Sequence, residues 1–312
     1  MKEEALLFGK HKNLVGVVTD PTERNHNLPA ILLLNAGLIH RVGPNRLYVR
    51  LARYLSELGF VVMRFDLSGI GDSNVRPDNM PIEKSSVDDT RQAMDYLENT
   101  RSVKQFLVMG HCAGAIHSIM AASEDKRVTG IVMINLEGGG DNWQDYDKRR
   151  KVGRYYKNYY SKQAISDPQR WRRFFTGKAD YRSIYRNIVY NILLSKLTNT
   201  MFRLKTSFAQ QRTQADSLHD KIAEAIYQLA MRHIQLLFVY SEASTGLERM
   251  RITLGSKLRD LVEQDKLRLE IVPHSDHLFT LAITQEHLMG ILGQWSQQVS
   301  QTQADEIAKV SV

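Results

Sequence analysis

Short apolar runs alternate with stretches of helical periodicity along most of this chain, and that alternation narrows the fold more than any other feature. Ala30-Ile31-Leu32-Leu33-Leu34 ends at Asn35-Ala36-Gly37, after which Leu47, Leu51, Tyr54 and Leu55 recur at helical spacing up to Gly59. Val61-Val62-Met63-Arg64-Phe65 is a second strand-like run, broken by Ser68-Gly69-Ile70-Gly71-Asp72 and followed by a helix expected over 87–99. Phe106-Leu107-Val108-Met109, Ile131-Val132-Met133-Ile134, Leu236-Leu237-Phe238-Val239-Tyr240 and Leu267-Leu269-Ile271-Val272 continue the series, with a last helix expected over 285–297. Strands rich in Val, Ile and Leu, separated by helices, argue for an α/β fold: a mostly parallel sheet covered by helices on both faces. Leu6-Leu7-Phe8 and Leu14-Val15-Gly16-Val17-Val18 read as an antiparallel hairpin at its edge, and the stretch from about residue 300 to the end has little periodicity and is expected to fray.

The strand pattern stops for a long middle segment, where the charge changes too. From Gly138 to Arg232 there are 19 Lys and Arg against 8 Asp and Glu, a net of +11, while the remainder of the chain nets −3. Nine of the 13 tyrosines lie there as well. Such a shift points to an inserted subdomain with its own surface task. The expected division is a core of residues 1–137 and 233–312 with a basic helical insertion of 138–232. With 312 residues, 43% of them hydrophobic, the chain can bury a full core without staples. Cys112 is the only cysteine, so no disulfide forms within the chain. No apolar run reaches the roughly 20 residues that span a bilayer. The N-terminal stretch lacks a signal-peptide pattern, so the cytoplasm is the expected compartment.

The chemistry concentrates at Gly110-His111-Cys112-Ala113-Gly114, which follows a strand run and precedes the small-residue helix Ala115-Ile116-His117-Ser118. In a strand–turn–helix setting, the pattern Gly-x-nucleophile-x-Gly has a physical reason. The turn holds its central residue in a strained conformation, and small neighbours let the chain double back. The nucleophile then stands at the C-terminal edge of the sheet over a helix N-terminus, which favours a thiolate.

On these residues the sequence resembles the α/β-hydrolase superfamily. The Asn35-Ala36-Gly37-Leu38 turn, the segment from Arg64 to Ser73, the elbow and Ser275-Asp276-His277-Leu278-Phe279 all carry the resemblance. His40-Arg41-Val42-Gly43-Pro44-Asn45-Arg46 looks like the hydrolases found with bacterial exosortase systems, and Cys at the elbow resembles the dienelactone-hydrolase branch. The resemblance implies Cys112 as nucleophile, His277 rather than His274 as general base, and the backbone amides of Leu38 and Ala113 as oxyanion donors. Gly37, His111 and Arg41 would contact substrate. The acid breaks the pattern: where relatives carry Asp in the segment Ser241-Glu242-Ala243-Ser244-Thr245-Gly246-Leu247, this chain has Ser244. Glu242 ranks first as the replacement and Glu137 second. A Cys nucleophile tolerates a displaced acid better than Ser does if it is already a thiolate beside protonated His.

The basic segment occupies the place where this fold carries its cap. Its arginines, Arg172 and Arg173 among them, exceed what packing needs and suit an anionic ligand. Acyl-coenzyme A or an acidic acyl-carrier protein meets that demand. Nucleic acid matches the charge, but no binding motif accompanies it. No cofactor is implied, and no His-Glu-x-x-His or Cys pair marks a metal site. The expectation is a hydrolase that cleaves an ester or thioester through an acyl-Cys112 intermediate. The alternatives are an acyltransferase using the same pair, or a non-catalytic binding protein on a hydrolase scaffold.

Overall fold

The computed structural model describes residues 1–78, 80–137 and 214–310. The first eight elements are β1 (Lys2–Phe8), β2 (Leu14–Asp20), β3 (Ala30–Leu34), α1 (Leu47–Glu57), β4 (Val62–Phe65), α2 (Ile82–Arg101), β5 (Phe106–His111) and α3 (Ala113–Glu124). Then come β6 (Val128–Ile134), α4 (Gln214–Met231), β7 (Gln235–Ser241), α5 (Gly246–Leu254), α6 (Ser256–Glu263), β8 (Leu267–Val272) and α7 (Ala282–Val310).

The eight strands form one sheet in the order β1-β2-β4-β3-β5-β6-β7-β8. The N-terminal strands form the antiparallel edge hairpin that their sequence predicts; β2 also pairs antiparallel with β4, and β3 to β8 run parallel. Alternate residues of each strand feed opposite layers. Leu32, Leu34, Val108, Ile131, Met133 and Phe238 pack with α2, α3, α4, α5 and α6. Ile31, Leu33, Leu107, Met109, Val132, Leu237 and Val239 pack with α1 and α7. Both layers bury large aliphatic side chains at close to zero exposure, each stabilising by about 1.5–3 kcal/mol. Parallel strands all release their chains at one edge, so the loops after β3 to β8 gather there.

Two expectations about boundaries differ from the structure. The core resumes well before residue 233: one compact unit comprises Met1–Gly138 and His219–Val312. The reason is α4, whose Ile222, Ala223, Ile226, Leu229 and Ala230 form an apolar stripe at helical spacing, buried in the sheet's first layer. The C-terminal stretch does not fray at residue 300, because α7 continues to Val310. Its sparse periodicity hides buried hydroxyls: Ser296 and Ser300 donate back to Leu292 O and Ser296 O, both at 2.8 Å, and so need no other partner.

Candidate active site

Cys112 sits between β5 and α3 with φ 56° and ψ −115°, a conformation that L-residues avoid and that costs about 1–3 kcal/mol where the surroundings impose it. The surroundings do impose it. Cys112 N–H donates to Ile134 O on β6 at 2.8 Å, and Cys112 O accepts from Ala115 N–H at 3.1 Å. Both flanking glycines are sterically required. A Cβ on Gly110 would lie 2.0 Å from Gly114 O, and one on Gly114 would lie 2.5 Å from Asn35 O. The thiol is therefore raised at the C-terminal edge of the sheet because nothing larger than glycine fits beneath it.

The candidate base reaches this point from the loop after β8. The His277 ring lies against the His111 ring, with centroids 4.9 Å apart and planes tilted by 52°. Its main-chain carbonyl accepts from His111 Nε2 at 2.7 Å and from Asn135 Nδ2 at 2.8 Å. His277 Nδ1, sealed from solvent, faces Glu137 Oε1 at 3.4 Å; this is ion-pair range without the alignment of a hydrogen bond.

That geometry reverses the expected order of acids. Glu242 turns away from His277. Its Oε2 accepts the main-chain N–H of His274 at 2.7 Å and lies 3.7 Å from the His274 ring, and the side chain is 58% exposed. Ser244 does not fill the gap either: its hydroxyl accepts from Gly246 N–H at 3.1 Å at the start of α5. Glu137, ranked second from sequence, is the carboxylate that faces His277. The two histidines stand apart: His274 is 91% exposed, and the His277 ring lies against His111 beside the elbow.

Two residues expected to touch substrate have other work. His111 is buried, its ring between His277 and Phe279, and its N–H donates to Tyr48 Oη at 3.1 Å. Burial first, then the charge of His277, push its imidazole down to about 4, so it is neutral near pH 7. The Arg41 guanidinium is paired with Asp66 and Asp72. Asp66 is fully buried and is the hub of the turn after β3. It accepts from Arg41 N–H, from Asn35 Nδ2 at 3.1 Å and from Asp72 N–H at 3.1 Å. Asn35 in turn donates to Ile39 O and accepts from Leu67 N–H. These bonds hold the Gly37–Leu38 tip, where Gly37 adopts φ 62° and Leu38 is 89% exposed. Arg172 and Arg173 lie outside the described residues.

The thiol also departs from expectation. Burial, and then the negative charge of Glu137, raise Cys112 above its ordinary value, against an opposing pull from the Ala113 amide. Both causes favour the neutral thiol over the thiolate that the helix N-terminus alone would lead one to expect. Among the described residues, no cluster of three His, Cys, Asp or Glu could hold a metal ion, and no helix is long and apolar enough to cross a membrane.

Sequence reasoning missed Asn135 altogether. Its signal was a polar residue directly after an apolar strand run, a position that the fold buries completely.

Comparison with known proteins agrees with this architecture. The sequence family described as serine aminopeptidase, S33, matches residues 29–136. Esterase EstD of Thermotoga maritima is 28% identical over 125 residues, which is 39% of this chain and 30% of that protein; the match thus spans about a third of the relative's length. A proline iminopeptidase from Mycobacterium smegmatis superposes with TM-score 0.55 at 14% identity, covering 96% of this chain and 99% of the other. An α/β serine hydrolase homologue from Coxiella burnetii gives 0.52 at 14% identity, covering 94% and 97%. The chain has the α/β-hydrolase fold, with Cys112 at the elbow.

Proposed function

We propose that this chain is a hydrolase that cleaves an ester or thioester through an acyl group carried on Cys112, with His277 as general base and Glu137 as the acid that steadies it. The observation that carries this reading is the convergence of three strand ends. A cysteine in a left-handed elbow after β5, a histidine ring at that elbow from the loop after β8, and a carboxylate on its Nδ1 from the end of β6 together form a nucleophile–base–acid set.

The chemistry follows from the neutral thiol. As sulfur attacks the carbonyl carbon, the thiol proton passes to His277 Nε2, and the new imidazolium is stabilised by Glu137 across 3.4 Å. The carbonyl oxygen becomes an oxyanion, which the N–H groups of Ala113 and Leu38 are suited to receive. Collapse breaks the bond to the leaving alcohol or thiol, which takes the proton from His277. Water, deprotonated by His277, then attacks the acyl carbon, the carbon–sulfur bond breaks, and the departing sulfur takes the proton back from His277. The acid is released and the Cys112 thiol is restored. Removing one oxyanion donor typically costs about 2.7–4 kcal/mol of transition-state stabilisation, so the hold of Asp66 and Asn35 on the Leu38 turn matters to rate as well as to fold.

The basic middle segment supports a substrate that is anionic or delivered on an acidic carrier, acyl-coenzyme A and acyl-carrier protein being the two that fit its charge. Hydrolysis of a matched set of p-nitrophenyl esters and acyl-coenzyme A thioesters, with quantitation of free acid, tests the reading. Acid release from either class that is lost in Cys112→Ala supports it. Acyl transfer only in the presence of a second nucleophile points to the acyltransferase instead, and binding without acylation points to a non-catalytic scaffold.

A further inference from the structure

The candidate base does not sit on a strand or a helix. It sits in a loop three strands away from the nucleophile in the sheet order, yet its ring must hold a fixed place. We propose that Asn135 is a positioning residue for His277: with His111, it grips the His277 main-chain carbonyl and ties the base loop to the ends of β5 and β6. The proposal rests on His277 being the base, as read above.

Asn135 is built for this and for little else. It is fully buried and adopts φ 46°, a conformation that Asn tolerates better than most residues. Its polar groups reach two other segments. Its N–H donates to Val239 O at 2.8 Å, and its Oδ1 accepts from Ser241 N–H at 2.7 Å, both on β7. Its Nδ2 donates to His277 O at 2.8 Å. One side chain thus spans three chain segments: the end of β6, the end of β7 and the loop after β8. The second donor on the same carbonyl, His111 Nε2, comes from the residue beside Cys112. Two N–H donors from neighbouring strand ends use both lone pairs of one oxygen. The loop is therefore held at the residue whose ring does the chemistry, and the nucleophile and base share an anchor. The bond to His277 O also fixes the His111 tautomer, with its proton on Nε2, so the ring beside His277 donates while remaining uncharged.

A misplacement of about 1 Å at a reacting group can cost about 100-fold in rate. Asn135→Asp is the sharpest test. It keeps the shape, the tolerance for positive φ and the acceptor for Ser241 N–H, and replaces the donor to His277 O with a carboxylate oxygen; Asn135→Ala, which adds no charge, is the control that separates loss of the donor from the added charge. The expected result with p-nitrophenyl acetate is a fall in kcat of about tenfold or more, with KM within about twofold of wild type. Amide hydrogen exchange should quicken in residues 273–281 while the β5 and β6 amides stay protected. His111→Leu should act in the same direction. His111→Gln, which can still present an N–H, should recover most of that loss, and the Asn135→Asp/His111→Leu pair should lose less than the product of the singles, since both act through one carbonyl. Wild-type kcat in Asn135→Asp, or a fall matched by faster exchange throughout the sheet, overturns the proposal while leaving the reading of the site intact. A wild-type kcat in His277→Ala, or a wild-type enzyme inert to every ester and thioester, overturns the base assignment and the positioning role with it.

Discussion

Two loops at the C-terminal edge of the sheet each carry a glutamate, and the two make different contacts. The loop after β7 holds Glu242, mostly exposed and spent on the main chain of its neighbour loop at His274. The chain after β6 ends in Glu137, only about a third exposed and set against His277 Nδ1. The first loop sits where the resemblance places the acid, the second one strand nearer the nucleophile. The difference teaches that an acid is defined by the ring nitrogen it faces, not by its place in the chain. Any strand end bordering the base can supply it, provided the carboxylate arrives on the side of Nδ1. It also shows a tension. In the proposed mechanism Glu137 stabilises the imidazolium during attack, and its charge is also one of the two causes that raise the Cys112 thiol. On that reading the same carboxylate would help the base and hold back the nucleophile.

The comparison can be broken most directly by neutralising each glutamate. Glu137→Gln should lower kcat/KM about 10- to 100-fold, and Glu242→Gln should leave it within about threefold, as expected for a partner of the transition-state imidazolium against a solvated loop contact. Equal losses, or the larger loss at Glu242, would restore the order read from the sequence.

The tension between the two effects predicts a pH profile. With the thiol raised, alkylation of Cys112 by iodoacetamide should climb with pH through 9, with no plateau near neutrality, because only the thiolate reacts. In Glu137→Gln that limb should move to lower pH, since one cause of the upward shift is gone, even as turnover falls. A plateau beginning between pH 6 and 7 in the wild-type protein would mean a preformed thiolate.

Smaller effects should come from Ser244→Asp and from salt. A carboxylate at residue 244 should change activity by less than about threefold in the wild-type background, because Glu137 already occupies the Nδ1 side of His277. A large gain there would mean that the acid is still missing. If the +11 segment captures an anionic substrate, kcat/KM for acyl-coenzyme A should fall a few-fold between about 50 and 300 mM salt, since screening then acts over less than about 10 Å. The Arg172→Glu/Arg173→Glu pair should reduce that dependence. Salt-independent kinetics in both proteins would remove the anionic-substrate idea.

Most of the fold was legible because buried parallel strands are written as apolar runs, and each of the eight found its place in the sheet. The elbow was legible because its two glycines answer a steric demand local to five residues. What could not be read depended on which side chains meet across the sheet. Arg41 looked available for substrate, yet its partner Asp66 is 25 residues away and fully buried. His111 is expected from the sequence to contact substrate, but its side chain is buried and its ring packs against His277 and Phe279. Glu137 and Glu242 were both visible as loop carboxylates. The choice between them needed the place of the His277 ring, whose main-chain carbonyl is held by His111 and Asn135, 166 and 142 residues distant.

Passage of an acyl group through Cys112 is tested most directly by intact-mass measurement of acid-quenched protein during turnover of a p-nitrophenyl ester. Because the chain has a single cysteine, the assignment is unambiguous once hydroxylamine removes the adduct. The expected result is a mass increase of one acyl group in the wild-type protein, more persistent in Glu137→Gln, where deacylation is slowed, and absent from Cys112→Ala together with all turnover. Ester hydrolysis at the wild-type rate in Cys112→Ala, or an acyl group that maps to any other residue during turnover, would contradict it.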